Sequence, residues 1–148
     1  MTLLTEHFTL EEMILSQTAA REGIDNKPNQ DALIQLCRLC AMLEFVRVAL
    51  KNKAMFISSG YRCPALNSAV GGSSSSQHMN GQAVDFICPD FGTPYEVCKA
   101  IMADSKIKFD QLIWEYEDWV HFSVPAIGVT PRMQALTINS SGTHNGIA

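Results

Sequence analysis

The sequence has no apolar stretch that is both long and uncharged enough to span a bilayer. Its opening, Met1-Thr2-Leu3-Leu4-Thr5-Glu6-His7, has no basic region followed by a long apolar run and a small-residue cleavage site. A protein without an export signal of its own, cytoplasmic as synthesised, is the expectation. A basic stripe of the kind that tracks phosphate backbones is also missing. The net charge of −4 is spread along the chain, which argues against nucleic acid as a partner. Five cysteines, Cys37, Cys40, Cys63, Cys88 and Cys98, are odd in number and scattered, so they make no disulfide framework and fit a reducing compartment. Cys37 and Cys40 lie on one expected helix with no second pair elsewhere, which favours packing over metal or redox chemistry. There is no internal repeat. What is present is 148 residues with 47% hydrophobic content, enough for one domain with a real core.

Caps and periods place the elements. Thr9-Leu10-Glu11-Glu12 is a capping box, with Phe8 and Met13 where a hydrophobic staple closes over it, and predicts a first helix over 10–20 ending near Gly23. Asn26-Lys27-Pro28-Asn29 then breaks the chain before a longer core helix over 30–51 with an apolar face that includes Leu36, Cys40, Leu43 and Val46. Thr93-Pro94-Tyr95-Glu96 is a second capping box, with proline at the first helical position, and predicts a third helix over 94–104. Runs rich in β-branched and aromatic residues predict strands over 55–58, 83–87, 111–115 and 119–124, the last two joined as a hairpin, with one more near 133–138. Helices gathered early and strands gathered late predict an α+β domain, its helices packed on a mainly antiparallel sheet. Gly71-Gly72-Ser73-Ser74-Ser75-Ser76 reads as a loop, and the polar end from Asn139 to Ala148 as a flexible tail.

Two short segments carry the chemistry. Ser76-Gln77-His78 through Asp85 and Asp118-Trp119-Val120-His121 supply two imidazoles, a carboxylate between them and a spare acid beside the second imidazole. That is the inventory of a catalytic zinc site, in which three protein ligands leave one position open and a fourth group moves a proton. Strand alternation puts Asp85 opposite Val84 and Phe86, and His121 opposite Val120 and Phe122, so both ligands face away from the core. The interval alone does not exclude ordinary polar residues of a loop and two strands.

Ser58-Ser59-Gly60-Tyr61-Arg62, Leu66-Asn67, Val70-Gly71-Gly72, Ser76-Gln77-His78 with Gly81, Ala83 and Asp85, and Trp119-Val120-His121 occur in this order. They closely resemble the signature of the zinc D-alanyl-D-alanine carboxypeptidase family, which includes peptidoglycan endopeptidases and phage lysis enzymes. The likeness runs from about Phe8 to Leu136, with residues 1–138 expected as the peptidase domain. It implies that His78, Asp85 and His121 bind one zinc ion, that Asp118 is the catalytic acid/base, and that Arg62 and Ser76 bind substrate. Asp118 and His121 differ by an odd number of residues, so a flat strand would point them to opposite faces, and Asp118 has to sit in a turn or on a bulge. Glu115 is the reserve acid/base and Glu117 a weaker third.

These observations lead to a zinc-dependent peptidase acting on peptidoglycan stem peptides or cross-links, as carboxypeptidase or endopeptidase. A missing export signal fits a phage or prophage lysis enzyme. The alternative is a non-catalytic zinc-containing module of a phage tail or cell-wall-binding protein, and a third option is a dipeptidase acting on free peptides. The retention of Asp118 and Arg62 argues for the enzyme, because a purely structural site has no use for an acid beside an open coordination position.

Overall fold

A computed structural model describes all residues from Met1 to Ala148. A small ribbon of β1 (Leu3–Thr5) and β2 (Phe8–Thr9) leads into α1 (Leu10–Ile14), α2 (Gln17–Glu22) and the long α3 (Gln30–Ala49). Then come β3 (Phe56–Ser59), α4 (Pro64–Ala69), a single 3₁₀ turn (Gln77–Asn80), β4 (Ala83–Ile87) and α5 (Pro94–Ala103). The chain closes with β5 (Gln111–Glu115), β6 (Trp119–Ser123), β7 (Gln134–Asn139) and β8 (Gly142–Asn145). The main sheet has the order β3-β4-β6-β5-β7-β8. It is antiparallel except where β7 runs parallel to β5, so the fold is α+β as expected, with a mixed sheet.

Alternation along the strands sorts the two faces. Val84, Phe86, Leu112, Val120 and Phe122 point to one side and are fully buried against Leu36, Leu39, Cys40 and Leu43 of α3 and Val97, Cys98 and Ile101 of α5. Phe122 stands opposite Val84 and Leu112 in the ladder, and truncating so large a buried side chain to alanine costs about 3–5 kcal/mol. The other side of the sheet keeps Asp85, His121 and Glu115.

Two stretches differ from the expectation from sequence. The helix over 10–20 is two helices: Leu15 and Ser16 are extended, and the Ser16 hydroxyl accepts the Ala19 N–H at 3.1 Å, so a second cap wins over continuation of α1. The stretch 139–148, expected as a flexible tail, contains the strand β8. Asn139 accepts hydrogen bonds from the Ser141 backbone and hydroxyl, turning the chain into β8, and Ile147 is buried in the core. A polar Asn-Ser-Ser-Gly run has the composition of a frayed end and also of a hairpin turn, and pairing with β7 selects the turn. Helix α4 and the 3₁₀ turn were not foreseen at all.

Candidate metal centre

The first candidate ligand, His78, sits on the 3₁₀ turn. Ser76 caps it, its hydroxyl accepting the His78 N–H at 3.2 Å, and Gly81 closes it at φ 72°. A side chain at Gly81 would meet the Ala32 carbonyl at 2.5 Å, so glycine is required both by conformation and by the close approach of α3. His78 is buried, and its Nδ1 lies 2.7 Å from the Gly60 carbonyl. A carbonyl only accepts, so Nδ1 carries the proton and Nε2 presents a bare lone pair.

The strands bring the other two candidate ligands. Asp85 and His121 are direct cross-strand partners on β4 and β6, which makes a sequence separation of 36 residues a contact. His78 Nε2 lies 3.3 Å from Asp85 Oδ2, and His121 Nδ1 lies 3.0 Å from Asp85 Oδ1. The two imidazoles meet edge to face with centroids 5.2 Å apart. One donor atom from each of the three residues falls within 4.8 Å of the others, the arrangement of a group able to hold a metal ion. Burial opposes ionisation of Asp85, but hydrogen bonds and charge from His121 and His78 override it and hold the carboxyl well below the ordinary range. Two imidazole nitrogens and a carboxylate oxygen are the donor set zinc takes in catalytic sites, so the residues fit the ion.

The flanking groups divide unevenly. Glu115 stands on the same face of the sheet as His121, two residues along from the Ile113–His121 pair. Its Oε1 lies 3.9 Å from His121 Nδ1, and its side chain is 18% exposed. Burial pushes its carboxyl up, helped by the Asp85 charge and opposed by His121 and Arg62. Asp118, by contrast, is exposed in the β5–β6 turn, where Tyr116 (φ 51°) and Glu117 (φ 60°) reverse the chain and the Asp118 N–H donates to the Glu115 carbonyl at 3.0 Å. The structure thus brings His78, Asp85, His121 and the reserve acid Glu115 together and leaves Asp118 and Glu117 outside. Parity is the reason: Asp118 has neither the strand register nor a bulge that would swing it back to the ligand face.

Arg62 reaches the cluster with Nη2 3.6 Å from Asp85 Oδ2. Ser59 and Asn67 aim it, accepting from Nε at 3.1 Å and Nη1 at 3.2 Å, and Asn67 is itself held by the Ser73 carbonyl. Ser76 is half-buried beside His78 and its hydroxyl already serves the cap. Sequence reasoning assigned no role to Gly60 or Asn67, although both lie inside quoted motifs, and missed a brace behind the site. Asp110, buried, accepts from Gln77 Nε2 at 2.9 Å and from the Arg132 guanidinium at 2.7 Å. Gln77 is thereby tied inward, fixing the turn that carries His78. No interval in the sequence announces that contact between two loops.

A family model described as Peptidase M15 matches residues 6–123. No curated protein matches the chain. The matched stretch runs from the ribbon that precedes α1 to the end of β6 and includes every residue of the cluster and its flank, so the chain belongs to the Peptidase M15 family of zinc D-Ala-D-Ala carboxypeptidase-like enzymes.

Proposed function

We propose that this protein is a zinc-dependent hydrolase of peptide bonds in peptidoglycan stem peptides or cross-links. The observation that carries the proposal is a buried His-Asp-His group with an arginine and an unshared carboxylate at its edge, in a chain of the M15 family. His78 through Nε2, His121 through Nδ1 and Asp85 through its carboxylate would hold the ion. Zinc, when bound, supplies a Lewis acid for the scissile carbonyl and makes water acidic enough to attack near neutral pH.

The chain's own residues do the rest. Glu115, rather than Asp118, takes the proton of the attacking water and returns it to the departing amine, because it alone among the three candidate acids lies beside the ligands. A half-buried carboxyl with a raised proton affinity suits both halves of that task. Arg62 orients the peptide through its guanidinium fork, which matches a carboxylate or carbonyl, and Ser76 offers a hydroxyl at the mouth.

The test is release of new amines from purified peptidoglycan. Zinc-loaded protein is expected to release them, chelated protein to release none, and added zinc to restore the reaction. Binding to the wall without amine release at saturating zinc would refute the enzyme and leave a non-catalytic module. Products identified by mass separate removal of a terminal residue from cutting within a cross-link.

A further inference from the structure

Beside the His-Asp-His group lies a cleft of whose lining the peptidase reading uses only Arg62. The break between α1 and α2 leaves Leu15 73% exposed at the corner between them. The cleft, about 530 Å³, is bounded by Leu15, Ser16 and Arg21 on one side and by Ile57, Ser59 and Arg62 on the other. That is the size of pocket that takes a ligand of a few residues.

Two features say what enters it. The first is charge: twelve residues line the cleft, and they include two arginines and no carboxylate. In a chain with 15 acidic and 11 basic residues such a lining is selective for anions. Arg21 pairs with no carboxylate of its own chain and touches only the Thr18 hydroxyl, at 3.4 Å. The second is a free sheet edge. β3 is the outermost strand, hydrogen-bonded to β4 on one side only, and three of its four residues border the cleft. An extended peptide can add to such an edge through main-chain hydrogen bonds while side pockets read its substituents.

The geometry points to a subsite for an acidic peptide: substrate lies extended along β3, and a carboxylate distinct from the group held at Arg62 is read by Arg21. This rests on the peptidase reading for the identity of the peptide, and it makes Arg21 a specificity-determining residue. Arg62 at the metal end and Arg21 at the far end would then select a substrate carrying negative charge away from the scissile bond.

The experiment uses zinc-loaded protein and a set of synthetic peptidoglycan stem peptides in which each carboxylate in turn is replaced by its carboxamide. Kd by titration, KM and kcat are measured for wild type, Arg21→Gln and Arg21→Lys, with thermal melts to show that exposed Arg21 is dispensable for folding. One amidation is expected to weaken binding to wild type about three- to tenfold, the range for a partly solvated charge-assisted pair. The same amidation should leave Arg21→Gln unaffected and Arg21→Lys between the two, with the loss in KM rather than kcat. If no amidation matters to wild type, or the effect persists undiminished in Arg21→Gln, the subsite is refuted. Charge-selective binding through Arg21 without any hydrolysis would refute the peptidase and keep the cleft, whereas indifferent hydrolysis of acids and amides does the reverse. Failure of every stem peptide to bind overturns both.

Discussion

Replacing Glu115 with glutamine and Asp118 with asparagine separates the two candidate acids. Both substitutions preserve shape and remove only the carboxylate, so packing of β5 and of the turn is kept. Glu115 is not one of the three clustered ligands, and its Oε1 stands 3.9 Å from His121 Nδ1, so Glu115→Gln should retain zinc. Loss of a positioned general acid/base lowers kcat by about 10²–10⁴-fold. That is a barrier increase of about 3–5 kcal/mol. Asp118 is exposed and touches none of the cluster, and exposed substitutions away from such features change free energies by about 0.5 kcal/mol or less. Asp118→Asn should accordingly stay within about threefold of wild type.

The assay is the initial rate of amine release at saturating zinc, alongside zinc per protein chain and a thermal melt for each variant. Glu115→Gln is expected to be folded, fully loaded and nearly inactive; Asp118→Asn folded, loaded and active. The opposite pattern, with zinc content intact in both, would refute the assignment and mean that the β5–β6 turn rearranges around bound substrate. Equal, modest losses in both would refute the idea that one carboxylate carries the proton.

Other perturbations test the supporting structure. Gly60→Ala puts a methyl against the Met13 carbonyl, which accepts the Tyr61 N–H at 2.7 Å, and so displaces the Gly60 carbonyl that orients His78. A zinc affinity lowered about 10–100-fold in chelator competition is expected, the usual cost of losing a partner behind a ligand. Chelation should lower Tm and zinc restore it, by about 2.7 kcal/mol of stability when free zinc is 100 times its Kd. For Asp110, burial opposes ionisation, but hydrogen bonds from the Arg132 side chain and backbone and from Gln77 outweigh it and hold the carboxyl below the ordinary range. A depressed pKa stabilises the fold above the unfolded value of about 3.9 and loses that contribution as pH falls through the folded value. Asp110→Asn should cost about 1.5–3 kcal/mol at pH 7 by urea unfolding. The gap from wild type should narrow as the pH is taken below about 4. A gap independent of pH would mean that Asp110 contributes by shape and not by charge.

Much of the fold was legible because it is written in short, strong signals. The capping boxes at Thr9 and Thr93 both form as read, with reciprocal bonds to Glu12 and Glu96. β4 and β5 have the expected bounds, and the Val-x-Phe alternation of β4 and β6 places Asp85 and His121 on one face. That alternation is why the cluster was readable before any coordinates: two strands with their apolar residues committed to the core have no freedom over where the intervening residues point. The Asp110 brace was not legible, since Gln77, Asp110 and Arg132 lie on three connecting segments whose approach depends on the whole sheet closing. Nor was β8, whose Gly-Thr-His-Asn sequence has almost no strand character and is held by pairing with β7 alone.

Two local decisions bear most on the proposed function, and both are made where a regular element ends. At Ser16 a single side-chain hydrogen bond divides the helix that the Thr9 capping box opens, and at Tyr116–Asp118 two left-handed residues set which carboxylate follows the strand register. Periodicity averages over a helix or strand and passes over a decision made by one residue. Both decisions fall at the rim of the His-Asp-His group: one borders the cleft that holds Arg21, and the other leaves Glu115 rather than Asp118 beside His121. Ligand identity was carried by regular strands and an oriented turn, whereas the groups expected to govern substrate choice and proton transfer were fixed by where regular elements stop. A motif spaced along a strand therefore reads more directly into a donor group than into the acid beside it, and in this chain the parity of Glu115 with His121 is what favours Glu115 in the proposed mechanism over the acid that an interval of three residues would have ranked first.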